Sequence, residues 1–486
     1  MQRVSPIVNE MENFSILVDD EGNPDKTMIP VFEEQTNVRL DVMAYPNNIA
    51  GEHKNILMAS GDYLDVIAGW LFGAEEIVRL REECAAIPLS EMIDKYTVNM
   101  KEALEFPGVR EALTHPDGEI YTLPYVVESP LASFSPWINV EWLKQVGLPM
   151  PTTTEEFKNT LIAFKNSIPP VNGQPIIPFS AKPNNFRPGA LAGWFGVNAQ
   201  EFFAMIDGRL EITINRPEYK EFLKYFSDLY TSGLVDAELF SQNEQQWKAK
   251  GVQGLYGVAY AYWPADFAPM VRSDVSVNQY DYEALPVLRG PNVETPLYWR
   301  ASNGYSVLRT QAIITDKAKN PLTIIRWFDN LYDEANSLST QWGHIGIRFE
   351  QLSDGTFRET ANGRSSEAIQ AAGEPFFNAL PKFQRPGVRM LPPEGQAPEY
   401  YYTDVRDVLY EPYLDELVPE VWLDRATSQQ IVQLNEGVAY YYNQKMAEWI
   451  TGQADIESQW DAYLADLDNL GINELLEIRR GLIENR

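Results

Sequence analysis

Aromatic residues flanked by Gly, Pro and polar neighbours are the side chains of this sequence best suited to ligand chemistry. Gly69-Trp70, Trp263-Pro264 and Tyr298-Trp299-Arg300 stand out among 12 Trp, 25 Tyr and 22 Phe. Many of these rings must be core, because aromatics dominate burial in any large protein. A ring carried on a loop has a second use: the faintly apolar face of a pyranose stacks on it while nearby polar groups read the hydroxyls. Tyr262-Trp263-Pro264-Ala265-Asp266 carries the strongest signal. It follows the short apolar run 255–261, its proline keeps Trp263 out of helical packing, and Asp266 offers a hydroxyl acceptor. Trp299 and Arg300, with Asn303, combine a ring with hydrogen-bond donors and an amide. Gly69 lets backbone and ligand approach closely beside Trp70. Trp194 fits a core role or a platform equally well, whereas Trp327 and Trp460 fall on amphipathic helical faces and read as core.

Recognisable catalytic machinery is missing. The sequence holds neither a phosphate-cradling glycine loop nor a G-x-S-x-G elbow. His53, His115 and His344 are far apart, no Cys/His spacing suits zinc, and Cys84, the single cysteine, excludes an intrachain disulfide. A glycosidase needs only two carboxylates flanking the scissile bond, and 69 acidic residues neither exclude nor single out such a pair. The net charge of −30 repels phosphate backbones, so nucleic acid is not expected as a partner. With 44% hydrophobic and 22% charged residues the chain reads as globular, and no run reaches the ~18 apolar residues that a membrane span requires. Residues 1–13 lack a basic region followed by an apolar core, so no signal peptide is read there; the chain is cytoplasmic or a mature form without its export signal.

The elements that must position these residues follow a regular order. At 486 residues the chain exceeds one ordinary core, and two lobes are expected. Strand 14–18, a turn at 19–24, a helix near 28–35, an alternating strand at Val38, Leu40 and Val42, a helix at 53–60 and the apolar run 64–68 make a doubly wound α/β pattern. Ligands of such sheets bind beyond the carboxyl ends of the strands, which puts Asp19, Asp20 and Asn23, together with the Gly69-Trp70 loop, at a candidate site. The proline-rich extended stretch 120–135 crosses into a second lobe, opened by the capping box Thr153-Thr154-Glu155-Glu156 and a helix with Phe157, Leu161 and Phe164 on one face. Leu285-Pro286 and Gly290-Pro291-Asn292 mark a return, strand 305–315 rejoins the first lobe, and Asn320-Pro321 starts an amphipathic helix. Residues 354–396 read as loops over the second lobe. Two final helices carry Leu434, Val438 and Tyr442, then Trp460, Leu464 and Leu467, with a stop at Gly471.

Several ordered segments resemble those of the family 1 extracellular solute-binding proteins, in the large lipoprotein branch of Gram-positive bacteria. They are Phe32-Glu33-Glu34-Gln35-Thr36-Asn37-Val38, the stretch 57–67 containing Ala59-Ser60-Gly61-Asp62, Asp117-Gly118-Glu119-Ile120-Tyr121-Thr122-Leu123-Pro124, the 142–157 pattern ending Thr154-Glu155-Glu156-Phe157, Leu229-Tyr230-Thr231-Ser232-Gly233-Leu234-Val235-Asp236, and Trp460-Asp461-Ala462-Tyr463-Leu464. Each is weak by itself; their order and spacing over about residues 14–477 carry the resemblance.

The resemblance implies an α/β, two-lobed periplasmic-binding-protein-like clamp, each lobe a mostly parallel sheet flanked by helices and joined by hinge strands. Residues 1–128 and 300–350 form the first lobe, 129–299 and 351–486 the second, with hinge crossings near 124–136, 284–300 and 345–355. It implies a non-catalytic monomer that holds an oligosaccharide between the lobes and hands it to the permease subunits of an ABC importer. A neutral, plant-glycan sugar suits the acidic surface, since a uronate would need Arg187 or Arg300 against an unfavourable field. By analogy Asp65, Glu128, Phe186 and Arg187 join the ligand-facing set of Asp19, Asp20, Asn23, Trp70, Trp194, Tyr262, Trp263, Asp266, Trp299, Arg300 and Asn303. Export and an amino-terminal lipid anchor, placing the protein on the extracellular face of the membrane, are also implied, although the anchoring cysteine is absent from this sequence. Alginate-binding relatives carry a calcium loop where this chain has residues 166–174; only Asn166 and Asn172 offer side-chain oxygens there, too few for a cation that wants 6–8, so no calcium and no cofactor are expected. A carbohydrate-active enzyme, or a surface glycan-binding protein without a transporter, is the alternative.

Overall fold

The structure, a computed structural model, describes residues 7–19, 28–183, 185–268, 281–360, 380–385, 388, 390–391 and 399–484. Its strands in chain order are β1 (Glu12–Asp19), β2 (Val38–Tyr45), β3 (Val66–Ala68), β4 (Leu123–Glu128), β5 (Ser135–Asn139), β6 (Ile177–Ala181), β7 (Phe203–Ile206), β8 (Arg209–Ile212), β9 (Tyr256–Ala261), β10 (Tyr282–Ala284), β11 (Tyr305–Ile314), β12 (Phe349–Gln351), β13 (Phe357–Glu359), β14 (Lys382–Phe383) and β15 (Met390–Leu391). The chain forms two compact units, one of residues 1–129, 304–398 and 420–428, the other of 130–303, 399–419 and 429–486.

The first unit is built on a six-stranded sheet in the order β14-β4-β11-β3-β1-β2. β1, β2 and β3 run parallel, while β11 enters antiparallel between β3 and β4. Strands covered on both faces need apolar residues throughout, and Ile16, Leu17, Val18, Val66, Ile67 and Ala68 are all buried. Phe14, Ile16 and Val18 face the helix Pro321–Leu331, where Phe14 meets Trp327 edge to face at 5.5 Å. Leu17, Ile67 and Ile313 face the other way, toward Ile77 and Leu80 of the helix Ala74–Glu82. The sequence signals account for the helix ends: Pro30 stands in the first turn of Ile29–Thr36, Asn37 ends it at φ 59°, and the Asn320 side chain caps Pro321–Leu331 through the Thr323 amide.

The second unit holds the sheet β10-β5-β9-β6, with β6 and β9 parallel and β5 and β10 antiparallel. One face carries Trp137, Trp247, Tyr256, Phe267 and Tyr282. The helix Thr154–Ser167 opens with the expected capping box and buries Phe157, Leu161 and Phe164. Trp327 and Trp460 are buried.

Three expectations change. The described residues between 351 and 391, read as belonging to the second lobe, group with the first unit, where β14 pairs in parallel with β4. The chain passes from unit to unit after residues 129, 303, 398, 419 and 428, not near 345–355. Several helices escaped the sequence reading, among them Glu399–Tyr410 and Ile472–Glu484. Gly471 does interrupt the chain at φ 87°, but Ile472, Leu475 and Leu476 bury the turn that restarts immediately.

Candidate functional site

At the carboxyl edge of the first sheet the parallel strands β1 and β3 end side by side, at Asp19 and Ala68. Gly69 follows at φ 114°, and its amide donates to the Gln311 carbonyl at 2.7 Å. A Cβ on Gly69 would lie 1.7 Å from Asp19 Oδ1, so only glycine fits there. Asp19 Oδ2 accepts a hydrogen bond from the Trp70 amide at 2.8 Å. The Leu71 carbonyl accepts from Lys54 Nζ at 2.6 Å and the Phe72 carbonyl from Thr310 Oγ1 at 3.0 Å. Four hydrogen bonds thus hold the 69–72 backbone, while the Trp70 ring remains 54% exposed. This is a preorganised apolar platform. Asp19 itself is 5% exposed and holds the loop. Glu128, the last residue of β4, pairs with Tyr305 at the same sheet edge and is half-buried. Asp20 and Asn23 lie outside the described residues.

Asp65 is corrected. It stands before β3, at the amino end, where its Oδ2 accepts from the Ser15 amide at 2.8 Å and from Ser15 Oγ at 2.6 Å. It lines a cavity of about 220 Å3 with Glu12, Asp41 and Lys319, at the sheet end opposite Trp70.

The carboxyl edge of the second sheet is built similarly. β9 ends at Ala261; Tyr262 and Trp263 follow, and Pro264 starts a 3-10 turn, Pro264–Asp266. The residue before a proline is driven to extended backbone, and Trp263 sits at φ −149°, ψ 166°. Asp266 Oδ2 accepts from the Tyr262 amide at 3.2 Å and lies 3.5 Å from Lys182 Nζ, which lies equally far from Glu244. The Tyr262 ring meets Trp263 at 5.2 Å and Phe134 at 5.7 Å, both edge to face, and all three rings are half-buried. Phe134 gave no signal in the sequence, because its neighbours Ser133 and Ser135 read only as a crossing segment.

Other expected contacts in this unit are committed elsewhere. Trp194 is corrected: it is 1% exposed, packs edge to face on Phe157 at 5.5 Å, and lies in a 3-10 helix, Pro188–Phe195, whose residues are all buried. Phe186 packs on Tyr260 at 4.9 Å and on Phe179 and Phe226 at 6.0 Å. Arg187 is exposed and pairs with Glu201 at 2.8 Å. Arg300 donates through its amide to Asp415 Oδ1 and through Nε to the Asp415 carbonyl, both at 2.8 Å; burial raises the Asp415 carboxyl to about 6. Trp299 is half-buried and Asn303 exposed. In the stretch compared with a calcium loop, Val171 and Gln174 exchange both backbone hydrogen bonds at 2.9 Å around Asn172 and Gly173, at φ 51° and 80°. That is a two-residue hairpin turn, and no group of three His, Cys, Asp or Glu able to hold a metal occurs among the described residues.

Rings on well-tied backbone stand at the carboxyl edges of both sheets, the edge at which α/β sheets bind ligands. No family model matches the chain. It is 28% identical over 481 residues to the fructooligosaccharide ABC transporter substrate-binding protein FusA of Streptococcus pneumoniae, covering 94% of this chain and 86% of that one. The lipoprotein LipO of Bacillus subtilis is 24% identical over 477 residues, 95% and 87% of the two chains. The solved structure of FusA in complex with kestose superposes with a TM-score of 0.80, at 25% identity over 97% of this chain and 99% of that one. An HMO-binding solute-binding protein from Bifidobacterium longum infantis shares the fold, with a TM-score of 0.81 at 20% identity over 98% of this chain and 99% of that one. Over nearly its whole length the chain is thus similar to substrate-binding proteins of ABC transporters.

Proposed function

We propose that this protein captures an oligosaccharide and delivers it to the permease subunits of an ABC importer, acting as a monomer at the extracellular face of the membrane through an amino-terminal lipid anchor. The observation that carries the reading is the pair of aromatic platforms: Trp70 on a backbone tied at four points, and the Phe134, Tyr262 and Trp263 group. Both stand where α/β sheets bind ligands. FusA, the fructooligosaccharide-binding relative, supports the class of ligand.

A neutral sugar fits the local electrostatics. Arg187, Lys182 and Arg309 are engaged by Glu201, Asp266 and Glu420, so at those cations a uronate carboxylate would have to displace an acidic partner already present. Calorimetry against kestose, laminaribiose, Man5GlcNAc and an alginate oligomer, with chromatography of the sugars afterwards, tests the reading. Binding of an intact neutral member is expected. Cleavage of any member, or preference for alginate, refutes it. Trp70→Ala and Trp263→Ala should each weaken the binding by ~1–3 kcal/mol.

A further inference from the structure

The ring cluster of the second unit rests on a buried cation that touches none of the solvent. Arg406, in the helix Glu399–Tyr410, is 0% exposed. Its Nη1 donates to the Ser133 carbonyl at 2.7 Å and to the Tyr262 carbonyl at 2.8 Å, and its guanidinium carbon lies 5.4 Å from the Tyr262 ring. Nε is 3.7 Å from Asp407 Oδ1, beyond hydrogen-bond distance, and neither Nε nor Nη2 has a hydrogen-bond partner among the described residues.

The place of those two carbonyls explains the arrangement. The β5–β9 ladder ends at the pair Ser135 and Ala261. Just beyond it, Ser133 and Tyr262 no longer have a ladder to satisfy their carbonyls, and this is where Phe134, Tyr262 and Trp263 project their rings. The next carbonyl, of Phe134, accepts from the buried Tyr298 hydroxyl at 2.6 Å. Taking a guanidinium out of water with no hydrogen-bonded carboxylate is costly. An apolar side chain would avoid that cost, but would leave two carbonyls without donors and the Tyr262 ring without its cation.

We propose that Arg406 is a positioning residue for ligand binding: it pins the frayed end of the ladder so that the Phe134, Tyr262 and Trp263 rings stand in their ligand-ready arrangement before the sugar arrives. This rests on the reading of those rings as a sugar platform. The residue acts through Tyr262 and never meets the ligand.

The test is a double-mutant cycle on the full chain, read as Kd by calorimetry with the tightest-binding sugar of the panel above, at a temperature where near-ultraviolet circular dichroism shows native packing. Arg406→Met should weaken binding on the order of tenfold. In the Tyr262→Ala background the same change should have less than about a twofold effect, because the ring it positions is gone. An unchanged Kd in natively folded Arg406→Met overturns the proposal. So does an equal loss in both backgrounds, which would mark a general structural effect. Should Arg406→Met fail to fold, Arg406→Lys, which keeps the charge but whose shorter side chain withdraws the donor from the two carbonyls that Nη1 reaches, is judged by the same criteria. If Tyr262→Ala and Trp263→Ala leave Kd unchanged, or no panel sugar binds, the platform reading itself falls and the proposal with it. Weakening by those two variants but not by Arg406→Met sinks the proposal alone.

Discussion

Single residues decide where the rings point. Gly69 was legible in the sequence as a point of close approach, but what approaches it is the Asp19 carboxylate, a contact 50 residues distant in the chain. Gly69→Ala would combine a Cβ clash with a backbone angle that L-residues avoid, a cost of about 1–3 kcal/mol for the angle alone. We expect a lower melting temperature and weakened sugar binding together, by scanning calorimetry and titration. His115 offers a second test. It is buried, stacks on Trp422 at 4.0 Å, and its ring nitrogens have no partner among the described residues. Burial, reinforced by Arg81 and then Arg309 and opposed by Asp117, lowers its pKa to about 4. The unfolded chain therefore takes up the proton near 6.5 while the folded chain refuses it until about 4. Stability falls as pH drops through that window and is unaffected above it, by on the order of 3 kcal/mol at most. His115→Phe keeps the stack and should flatten the melting temperature between pH 6.5 and 4, relative to the parent. An unaltered slope would show that other groups govern the acid response.

At the scale of elements, local chemistry was readable wherever it was complete within a few residues. The Thr153–Glu156 box, the Asn320 cap and the Pro321 start are short-range signals, and the helices form as read. Thr153→Ala removes the hydrogen bond to the Glu156 amide and should cost about 1 kcal/mol, measured as a shifted urea midpoint with unchanged slope. The helix Glu399–Tyr410 was missed: it follows the stretch 354–396 read as loops, and no element was read between that stretch and the two final helices. Arg406, its only basic residue, carries no pattern that distinguishes a buried guanidinium from a solvated one. Residues 166–174 show the reverse case. The Asn172-Gly173 pair is a turn signal by itself, and the backbone closes there as a hairpin.

For the whole molecule, the weave of the chain matters most. β11, from residues 305–314, lies between β3 and β4, so the first unit's sheet is incomplete until the second unit's main segment has been made. The segment 420–428 also belongs to the first unit: Trp422 is sandwiched between His115 and the Arg309 guanidinium, the latter at 4.3 Å, and its Nε1 donates to the Ala112 carbonyl. A fragment of residues 1–129 should consequently lack a cooperative unfolding transition by circular dichroism; a sharp transition would show that three parallel strands and β4 suffice. The charge of −30 adds self-repulsion to the compact state, and moderate salt should raise the melting temperature of the full chain.

The sequence by itself determined the α/β class, the local helix boundaries, the family likeness and the two loops that carry Trp70 and Trp263, because each of these depends on neighbours in the chain or on an ordered run of short motifs. Tertiary structure alone decided that Asp19 holds a loop, that Asp65 stands at the wrong end of its strand, that Trp194 is core, that the described residues between 351 and 391 belong to the first unit and that a buried arginine underlies the second platform. These depend on strand register and on contacts between residues tens to hundreds of positions apart, and side-chain type and spacing carry no record of them.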